Sequence, residues 1–309
     1  MQTTIKSAVT LSGIGLHTGQ ETRLTLHPAS AEYGIWFRRM DIDHADAMIP
    51  ARWDSVEPAR LCTRLVNQSG VSVSTVEHLM AALAGCGIHN ALIEIDGPEV
   101  PILDGSAAPF VAAFVARGIR HLRSPIRAIE VLERVEVTEG LACARLDPAD
   151  ALEIDFSIEF ADRAIGRQRK TLNMANGAFV HHLCDSRTFC RQSDVDAMRN
   201  AGLALGGSLS NAVVVDGDRV LSPGGFRHAD EAVRHKMLDA LGDLALAGGP
   251  ILGRYTGVRA GHAMTNALLR ALFARPTAYR VVLCDAATTA NLPGVGVRRS
   301  DIAGLARAA

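Results

Sequence analysis

The stretch from Val233 to Leu241 constrains the fold most, because it must form a helix and it carries two possible metal ligands. It contains no glycine, and the next proline is Pro250, so nothing in it interrupts a helix. His235 and Asp239 are four residues apart, which places both side chains on one helix face, one turn apart. An imidazole nitrogen and a carboxylate oxygen at this spacing can bind one borderline metal ion.

The same helix also has a simpler interpretation. On a helical wheel its apolar and polar residues separate, as they do in many surface helices. The apolar side holds Val233, Met237, Leu241 and Leu244, and the polar side holds His235, Asp239 and Asp243. The polar side would then be a solvated face with a weak His–Asp pair, so the choice depends on the rest of the chain.

Length, charge and cysteine usage narrow the class of protein. A chain of 309 residues predicts two domains and a large core. The net charge of −1 gives no overall electrostatic reason to expect nucleic acid as a partner. Six cysteines without a C-x-x-C motif are typical of a reducing compartment, and we find neither a signal peptide nor a transmembrane run. We therefore expect a soluble, cytoplasmic and monomeric protein.

Apolar periodicity predicts strands and helices in both halves of the chain. In the first half the predicted strands are 7–11, 21–26 and 91–95, and the predicted helices are 74–83 and 107–117. In the second half the strands are 129–137, 152–160, 212–215 and 280–284, and the helices are 174–182, 228–247 and 262–273. The polar segment 123–127 is the predicted linker. The expected parts are an N-terminal α+β domain (1–123), a C-terminal α+β domain (128–285) and a tail (286–309) that frays.

A glycine-rich segment, Gly13-Ile-Gly-Leu-His-Thr-Gly19, lies between the first two predicted strands. It is one residue away from the dinucleotide-binding fingerprint, but that fingerprint requires a helix directly afterwards. Residues 21–26 alternate like a strand instead, which argues against a nucleotide loop. His17 within this segment has no helical partner, and we expect it to be a solvated loop residue.

The segment Ser74-Thr-Val-Glu-His78 opens the first predicted helix and allows two interpretations. In the structural one, Ser74 is the N-cap and Glu77 completes a capping box. In the functional one, Glu77 is a general base and His78 is a metal ligand. Catalytic zinc sites commonly use three protein ligands and leave a fourth position for water. His78 together with His235 and Asp239 would meet that number.

His262 follows Gly261 at the start of the last predicted helix. It can be an ordinary residue of a helix end. A helix N-terminus disfavours a charged imidazolium, so a proton-donating His262 needs an anion nearby. Asp243, two turns after His235, can supply that anion.

Five separated segments, taken together, carry a family resemblance. They are 13–19, Ser74-Thr-Val-Glu-His-Leu79, Asp104-Gly-Ser-Ala-Ala-Pro-Phe110, Val233-Arg-His-Lys-Met-Leu-Asp239 and Gly261-His262. In this order the set resembles the UDP-3-O-acyl-N-acetylglucosamine deacetylases, the zinc hydrolases of lipid A synthesis. The resemblance runs from about residue 3 to about residue 285, and it implies a Gram-negative-type bacterium as the source.

The resemblance implies a role for each matching residue. The Zn²⁺ ligands would be His78, His235 and Asp239; Glu77 would be the general base; His262 the general acid or oxyanion-stabilising residue; and Asp243 its supporting carboxylate. Thr188 would help to polarise the amide carbonyl, while Phe189 and Lys236 would line the sugar-nucleotide site, with the lysine facing a phosphate. The implied substrate is an acylated UDP-amino sugar. The implied fold has two α+β domains of similar topology, with their helices packed between the two sheets.

The lipid part of such a substrate needs a passage. Small and apolar residues alternate in residues 202–215, and we expect Ala204, Leu209 and Ala212 to border the acyl chain, together with Leu61 and Cys62. Two positions differ from the pattern expected for the family: Cys190-Arg191 after Phe189, and Arg60 before Leu61.

Two other functions remain open at this point. One is a metal-independent sugar-nucleotide or acyl-chain binding protein, and the other is a fused dehydratase, although we expect no length to be left in the chain for an extra domain.

Overall fold

A computed structural model describes residues 1–303 of the chain. Its first half contains β1 (Thr3–Ile5), β2 (Val9–Ile14), β3 (Glu21–Pro28), β4 (Ile35–Arg39), β5 (Met48–Pro50), a 3-10 turn (Trp53–Ser55), β6 (Val56–Glu57), β7 (Arg64–Val66), β8 (Ser72–Ser74), α1 (Glu77–Gly85), β9 (Ala91–Ile95), α2 (Ala108–Arg117) and β10 (Ile119–His121). Five of these strands form a sheet in the order β2-β3-β9-β4-β5, and β6, β7 and β8 form a smaller one.

Alternation of side chains explains the first large sheet. Along β3, Leu24 and Leu26 are fully buried, while the alternate residues Arg23, Thr25 and His27 are at least partly exposed. The two leucines pair with Ile95 and Ile93 of β9, so apolar residues of neighbouring strands share one face. That face joins the apolar core, and the opposite face carries the polar residues, as a half-buried sheet requires.

The second half repeats the combination of one large sheet, one small sheet and helices. It contains β11 (Arg127–Val131), β12 (Val135–Glu139), β13 (Ala142–Asp147), β14 (Leu152–Glu159), β15 (Arg167–Asn173), α3 (Ala178–His182), β16 (Phe189–Arg191), α4 (Gln192–Asn200), β17 (Val213–Asp216), β18 (Arg219–Val220), α5 (Glu231–Ala245), β19 (Ile251–Val258), α6 (His262–Phe273) and β20 (Tyr279–Leu283), followed by α7 (Ala286–Ala290) and a 3-10 turn (Arg299–Ile302). Strand β19 is the centre of the large sheet, paired with β11, β13 and β14. The predicted α+β class is confirmed.

The two halves meet where α1 packs against α5. Gly242 makes this approach close, because a Cβ at that position would overlap the backbone carbonyl of Glu77. On the other side α5 packs against β14 and β15 of the second large sheet. One apolar core runs through both halves and includes Leu79 of α1 and Leu241 of α5. The interface thus brings the start of α1 to the middle of α5.

Several predicted boundaries differ from the structure. Strand 129–137 is two strands, because the β11–β20 pairing ends at Val131 and the β12–β13 pairing begins only at Val135. The helix predicted at 174–182 begins only at Ala178, after Gly177 in the left-handed region. The helix predicted at 228–247 spans Glu231–Ala245, and the one at 262–273 has the predicted bounds.

The tail prediction is wrong for residues 286–303. Asp285 caps α7 through a bond from the Thr288 N–H, and Leu292 and Ile302 are buried. Arg299 donates to Ala116 O at the end of α2, so the tail reaches back to the first half. Residues 304–309, where the rest of the expected fraying lies, are outside the described part. The division at 123–128 stays a prediction, and no helix within residues 1–303 has the length and apolar character to span a bilayer.

Candidate metal centre

Three predicted ligands from the two halves lie together in the structure. His78 is on the first turn of α1, and His235 and Asp239 are on α5, with all three buried. Their ligand atoms lie within 4.8 Å of one another. Asp239 Oδ1 is 3.5 Å from His78 Nε2 and 3.3 Å from His235 Nε2. We call His78, His235 and Asp239 the ligand set; its burial rules out the solvated-face interpretation of α5.

The donor chemistry of the ligand set fits a cation. Asp239 Oδ1 is buried and has no hydrogen-bond partner among residues 1–303, although a buried carboxylate oxygen normally has one. His235 Nδ1 lies 3.0 Å from Ser186 O, so this nitrogen donates and Nε2 offers its lone pair toward Asp239. Burial lowers the pKa of His235 to about 4, against the charge of Asp239, and the ring is neutral at pH 7.

The second oxygen of Asp239 contacts Lys236. Lys236 Nζ donates to Asp239 Oδ2 over 2.7 Å, one turn along α5. Burial opposes the charged form of Asp239, but His235 and Lys236 hold its pKa well below the ordinary value. The ligand set therefore contains one ionised carboxylate and neutral His235. The predicted contact of Lys236 with a phosphate stays a prediction, because its ammonium faces the ligand set here.

Glu77 is beside the ligand set, and the predicted capping box is wrong. Helix α1 begins at Glu77, after Val76, while Ser74 belongs to β8. The Glu77 carboxylate instead accepts from the Thr63 N–H through Oε2, at 3.0 Å, which leaves Oε1 facing the site. It is buried rather than exposed, and burial raises its pKa against the charges of His262 and His78. A raised pKa brings Glu77 closer to neutral pH, where a general base is most effective.

His262 lies opposite Glu77 and is held by Asp243, as predicted. Its Nδ1 is 2.9 Å from Asp243 Oδ2, and its Nε2 is 3.8 Å from Glu77 Oε1. The hydroxyl of Thr63 donates to the other Asp243 oxygen at 2.6 Å. Burial disfavours the charged ring, yet Asp243 and Glu77 raise the pKa of His262 to about 9. The ring is therefore an imidazolium at neutral pH in this geometry.

Phe189, the first residue of β16, packs beside the ligand set, and Thr188 directly precedes it. The Phe189 ring is 6.2 Å from the His235 ring and nearly perpendicular to it. The backbone of Thr188 is fixed by a bond from its N–H to Gly105 O and by one from the Val213 N–H to its carbonyl. These bonds position the half-buried Thr188; its action on an amide carbonyl stays a prediction.

His17 contradicts its prediction as a solvated loop residue. It is buried, and its Nδ1 lies 3.4 Å from the N–H of Ala204. Within residues 1–303 its Nε2 is also buried and has no partner. Burial lowers the pKa of His17, Glu99 opposes this, and the charge of His262 lowers it further. His17 therefore belongs to the surroundings of the site.

The residues predicted for the acyl passage are placed at different depths. Leu61 and Leu209 are 54% and 44% exposed, whereas Cys62 and Ala212 are buried. Ala204 is half-buried and lies in the left-handed region, with φ of 54°. Burial raises the pKa of the Cys62 thiol to about 12, and the charge of Glu77 adds to this, so the group is a neutral thiol. Contact with an acyl chain stays a prediction for all of them.

Two residues that organise the site are not predicted from the sequence. Thr63 binds both Glu77 and Asp243, which are 14 and 180 residues away along the chain. Ser186 contributes a backbone carbonyl, and a carbonyl carries no sequence signal. The nearest clue was position: Thr63 directly follows Leu61-Cys62, and Ser186 directly precedes Arg187-Thr188-Phe189.

The assembled geometry defines a class of site. Two imidazoles and a carboxylate lie close together, and a second carboxylate, Glu77, and a charged histidine, His262, lie beside them. Hydrolases that use a single metal ion have this composition, with three protein ligands and a general base beside the fourth position. The site is thus of the metallohydrolase type.

Comparison with known proteins identifies the family. The family model for UDP-3-O-acyl N-acetylglycosamine deacetylase matches residues 2–274. A protein of Phenylobacterium zucineum (strain HLK1) is 50% identical over 280 residues, 91% of this chain and 96% of the relative. Relatives in Anaeromyxobacter sp. (strain Fw109-5) and Haemophilus influenzae (strain 86-028NP) are 47% and 44% identical over 91% of this chain, which covers 91% and 92% of them. All three are named UDP-3-O-acyl-N-acetylglucosamine deacetylase. The chain belongs to the UDP-3-O-acyl N-acetylglycosamine deacetylase family, so the resemblance is confirmed.

Proposed function

We propose that this protein is a zinc-dependent hydrolase that removes the N-acetyl group from UDP-3-O-(3-hydroxyacyl)-N-acetylglucosamine. One observation carries the proposal: the buried ligand set lies beside Glu77 and His262 in a chain of the deacetylase family. The names of its relatives supply the substrate, and the geometry supplies groups suited to amide hydrolysis. This reaction is an early committed step in the synthesis of lipid A.

Zinc is the proposed ion because of the donors. Two imidazole nitrogens and one carboxylate oxygen suit Zn²⁺, and three protein ligands are typical of its catalytic sites. His78, His235 and Asp239 would bind it, and Asp239 Oδ1, which has no hydrogen-bond partner within residues 1–303, supports a cation there. When bound, zinc polarises the amide carbonyl and lowers the pKa of water to about 7.

Glu77 is the proposed base. Its Oε2 is fixed by the Thr63 N–H, so Oε1 stays directed at the space beside the ligand set. There it takes a proton from the attacking water as the new C–O bond forms. The raised pKa of Glu77 makes this transfer easier than for an ordinary surface carboxylate.

His262 and Thr188 are proposed to stabilise the tetrahedral oxyanion. Asp243 holds His262 Nδ1, which leaves Nε2–H free to donate toward the developing charge. Thr188 would add a hydroxyl donor from the loop before β16. The C–N bond then breaks, and the leaving amine takes its proton from His262 or from Glu77.

The remaining predicted residues are assigned to substrate recognition. Phe189, packed on His235, and Lys236 would line the sugar-nucleotide part. Leu61, Cys62, Ala204, Leu209 and Ala212 would border the acyl chain. We place the protein in the cytoplasm of a Gram-negative-type bacterium, which is consistent with six free cysteines, all within residues 1–303. A monomer stays the prediction for its oligomeric state.

Acetate release and metal content of the purified protein test the proposal together. We expect about one zinc per chain, release of acetate from the UDP-3-O-acyl-N-acetylglucosamine substrate, and loss of activity with a chelator that added zinc restores. Tight substrate binding without acetate release would instead identify a sugar-nucleotide or acyl-chain binding protein. Acetate release that survives complete metal removal would overturn the zinc assignment alone.

A further inference from the structure

Another buried carboxylate, that of Glu99, lies outside the set of groups used above. Glu99 is fully buried and accepts four hydrogen bonds. Its Oε1 accepts from the His17 N–H at 2.9 Å and from the Thr75 hydroxyl at 2.8 Å. Its Oε2 accepts from the N–H and the hydroxyl of Thr18, both at 2.8 Å. Every lone-pair direction that faces protein is therefore in use.

Among residues 1–303 no lysine or arginine forms a salt bridge with this carboxylate, and its four hydrogen bonds come from neutral groups. A buried charge without a cation is unfavourable unless strong hydrogen bonds compensate it. Bonds to an ionised acceptor are about twice as strong as neutral ones, and here four of them converge. Glu99 thus forms a rigid joint between the segments that donate to it.

Those segments are parts of the site. Thr75 is held in the left-handed region, with φ of 58°, and it turns the chain into α1 directly before Glu77 and His78. His17 belongs to the loop of residues 13–19, which we call the glycine loop. One carboxylate therefore connects the start of the ligand-bearing helix to the loop that holds His17.

The same contact explains the glycine at position 15. A Cβ at Gly15 would overlap Glu99 Oε2 and the Thr18 hydroxyl, so only glycine lets the carboxylate approach. On the opposite side of the loop, a Cβ at Gly206 would overlap Gly15 O. The Gly206 N–H donates to Leu16 O at 3.0 Å. The glycine loop is thus packed between Glu99 and the residues predicted to border the acyl chain.

We infer that Glu99 is a positioning residue for the deacetylation, which acts by fixing the glycine loop, and with it His17, against the start of α1. This inference rests on the proposed function. The glycine loop then has a mechanical role. Glu99 holds the N–H groups of His17 and Thr18, and this fixes the direction of the His17 ring relative to the ligand set and to residues 204–206. The ring nitrogen Nε2 is buried and has no partner within residues 1–303.

Glu99→Gln tests the inference, because it preserves size but replaces one acceptor oxygen by an amide donor. That donor would face an N–H or hydroxyl group, which breaks up to two of the four bonds. We expect kcat to fall about 10- to 100-fold, as for a misplacement of about 1 Å, with metal content unchanged. Glu94→Gln is the matched control: Glu94 lies on β9, bonds His27 at the partly exposed surface, and should keep wild-type kinetics.

A double-mutant cycle separates positioning from simple stability. In a His17→Ala background, Glu99→Gln should lower kcat by no more than about twofold, because the residue through which Glu99 acts is gone. A twofold change is about the usual deviation from additivity in such cycles. The ¹⁵N–¹H resonances of the His17 ring, identified by their loss in His17→Ala, should also shift in Glu99→Gln. If Glu99→Gln folds poorly, Thr75→Val removes only the bond to the start of α1 and should still lower kcat.

Three outcomes overturn the inference. The first is a Glu99→Gln enzyme with wild-type kcat and a lower melting temperature only. The second is an equal loss of kcat with and without His17, and the third is an unchanged His17 ring spectrum. A wild-type protein that releases no acetate would instead reject the proposed function, while the ring spectrum still decides whether Glu99 positions His17.

Discussion

Two regions of the molecule depart in opposite ways from the usual distribution of side chains. Around the ligand set, Glu77, Asp239 and Asp243 are carboxylates buried beside the apolar core. In residues 192–212, which we call the apolar segment, Leu205 and Leu209 are 56% and 44% exposed. Buried carboxylates are unfavourable unless hydrogen bonds or a cation compensate them, whereas neighbouring exposed leucines offer apolar surface that a ligand can cover.

The two regions also differ in how firmly they are held. The carboxylates are fixed by bonds across the halves, such as that from Thr63 to Asp243. All nine residues of α4, the helix of the apolar segment, remain at least partly exposed. Few buried contacts mean a low local free energy of opening. The difference suggests that the chemistry depends on fixed geometry and that lipid recognition depends on a surface that can adjust.

The largest expected effect is at the ligand set itself. Asp239→Ala removes the ionised ligand and leaves only two imidazoles, so bound metal should fall to near zero and turnover to background. Asp43→Ala, at a fully exposed aspartate, is the matched control. Metal analysis and acetate release measure both variants. A fully active, metal-loaded Asp239→Ala protein would move the site away from α5.

The next effect separates the base from the ligands. Glu77→Gln keeps the acceptor oxygen for the Thr63 N–H but cannot take a proton. We expect metal content to stay at the wild-type level and turnover to fall about 10²- to 10⁴-fold, the usual size of acid–base catalysis. Should the folded variant turn over normally, Glu77 would be only a structural carboxylate.

His262 gives a pH-dependent effect. Its pKa is raised to about 9, so the ring is fully protonated well below that pH and loses its proton as the pH rises through 9. Catalytic efficiency should therefore fall on the basic side, and a bound divalent cation would move this limb below 9. His262→Gln should lower turnover about 10²- to 10³-fold, as for loss of an oxyanion donor, and should alter the basic limb. A pH–rate profile with the same basic limb in both proteins would argue against a protonated role.

The smallest effect belongs to the apolar segment. Leu209→Ala removes side-chain carbons that would be buried by a bound acyl chain, so efficiency on a long-acyl substrate should fall about tenfold. The same change should leave a short-acyl substrate and the metal content unaffected. Leu141→Ala, at a leucine 78% exposed in another part of the protein, is the control. Equal losses on both substrates would place the acyl chain elsewhere.

The sequence predicts those parts of the site that depend on local spacing. His235 and Asp239 share a face because they are four residues apart, and α6 has its predicted bounds because Gly261 precedes it and Pro276 follows. Helix α1 was predicted to begin too early, because the carboxylate of Glu77 binds Thr63 instead of capping its own helix. Local patterns contain no information about such a partner.

Long-range contacts account for the other differences. His17 was predicted to be solvated, but Glu99, 82 residues away, holds its backbone, and residues 204–206 cover its loop. The order of residues 286–303 depends on burial of Leu292 and Ile302 against both halves. Neither feature follows from composition or periodicity, because each partner is set by tertiary folding.

The close approach at Gly242 has a further consequence for the life of the folded chain. Because α1 and α5 touch through backbone atoms, the three ligands reach a common point only while the two halves are docked. An ion that binds there selects the docked state and must leave before the halves can separate. The melting temperature should then rise with free zinc concentration, and a cell short of zinc would lose the protein to degradation as well as its activity.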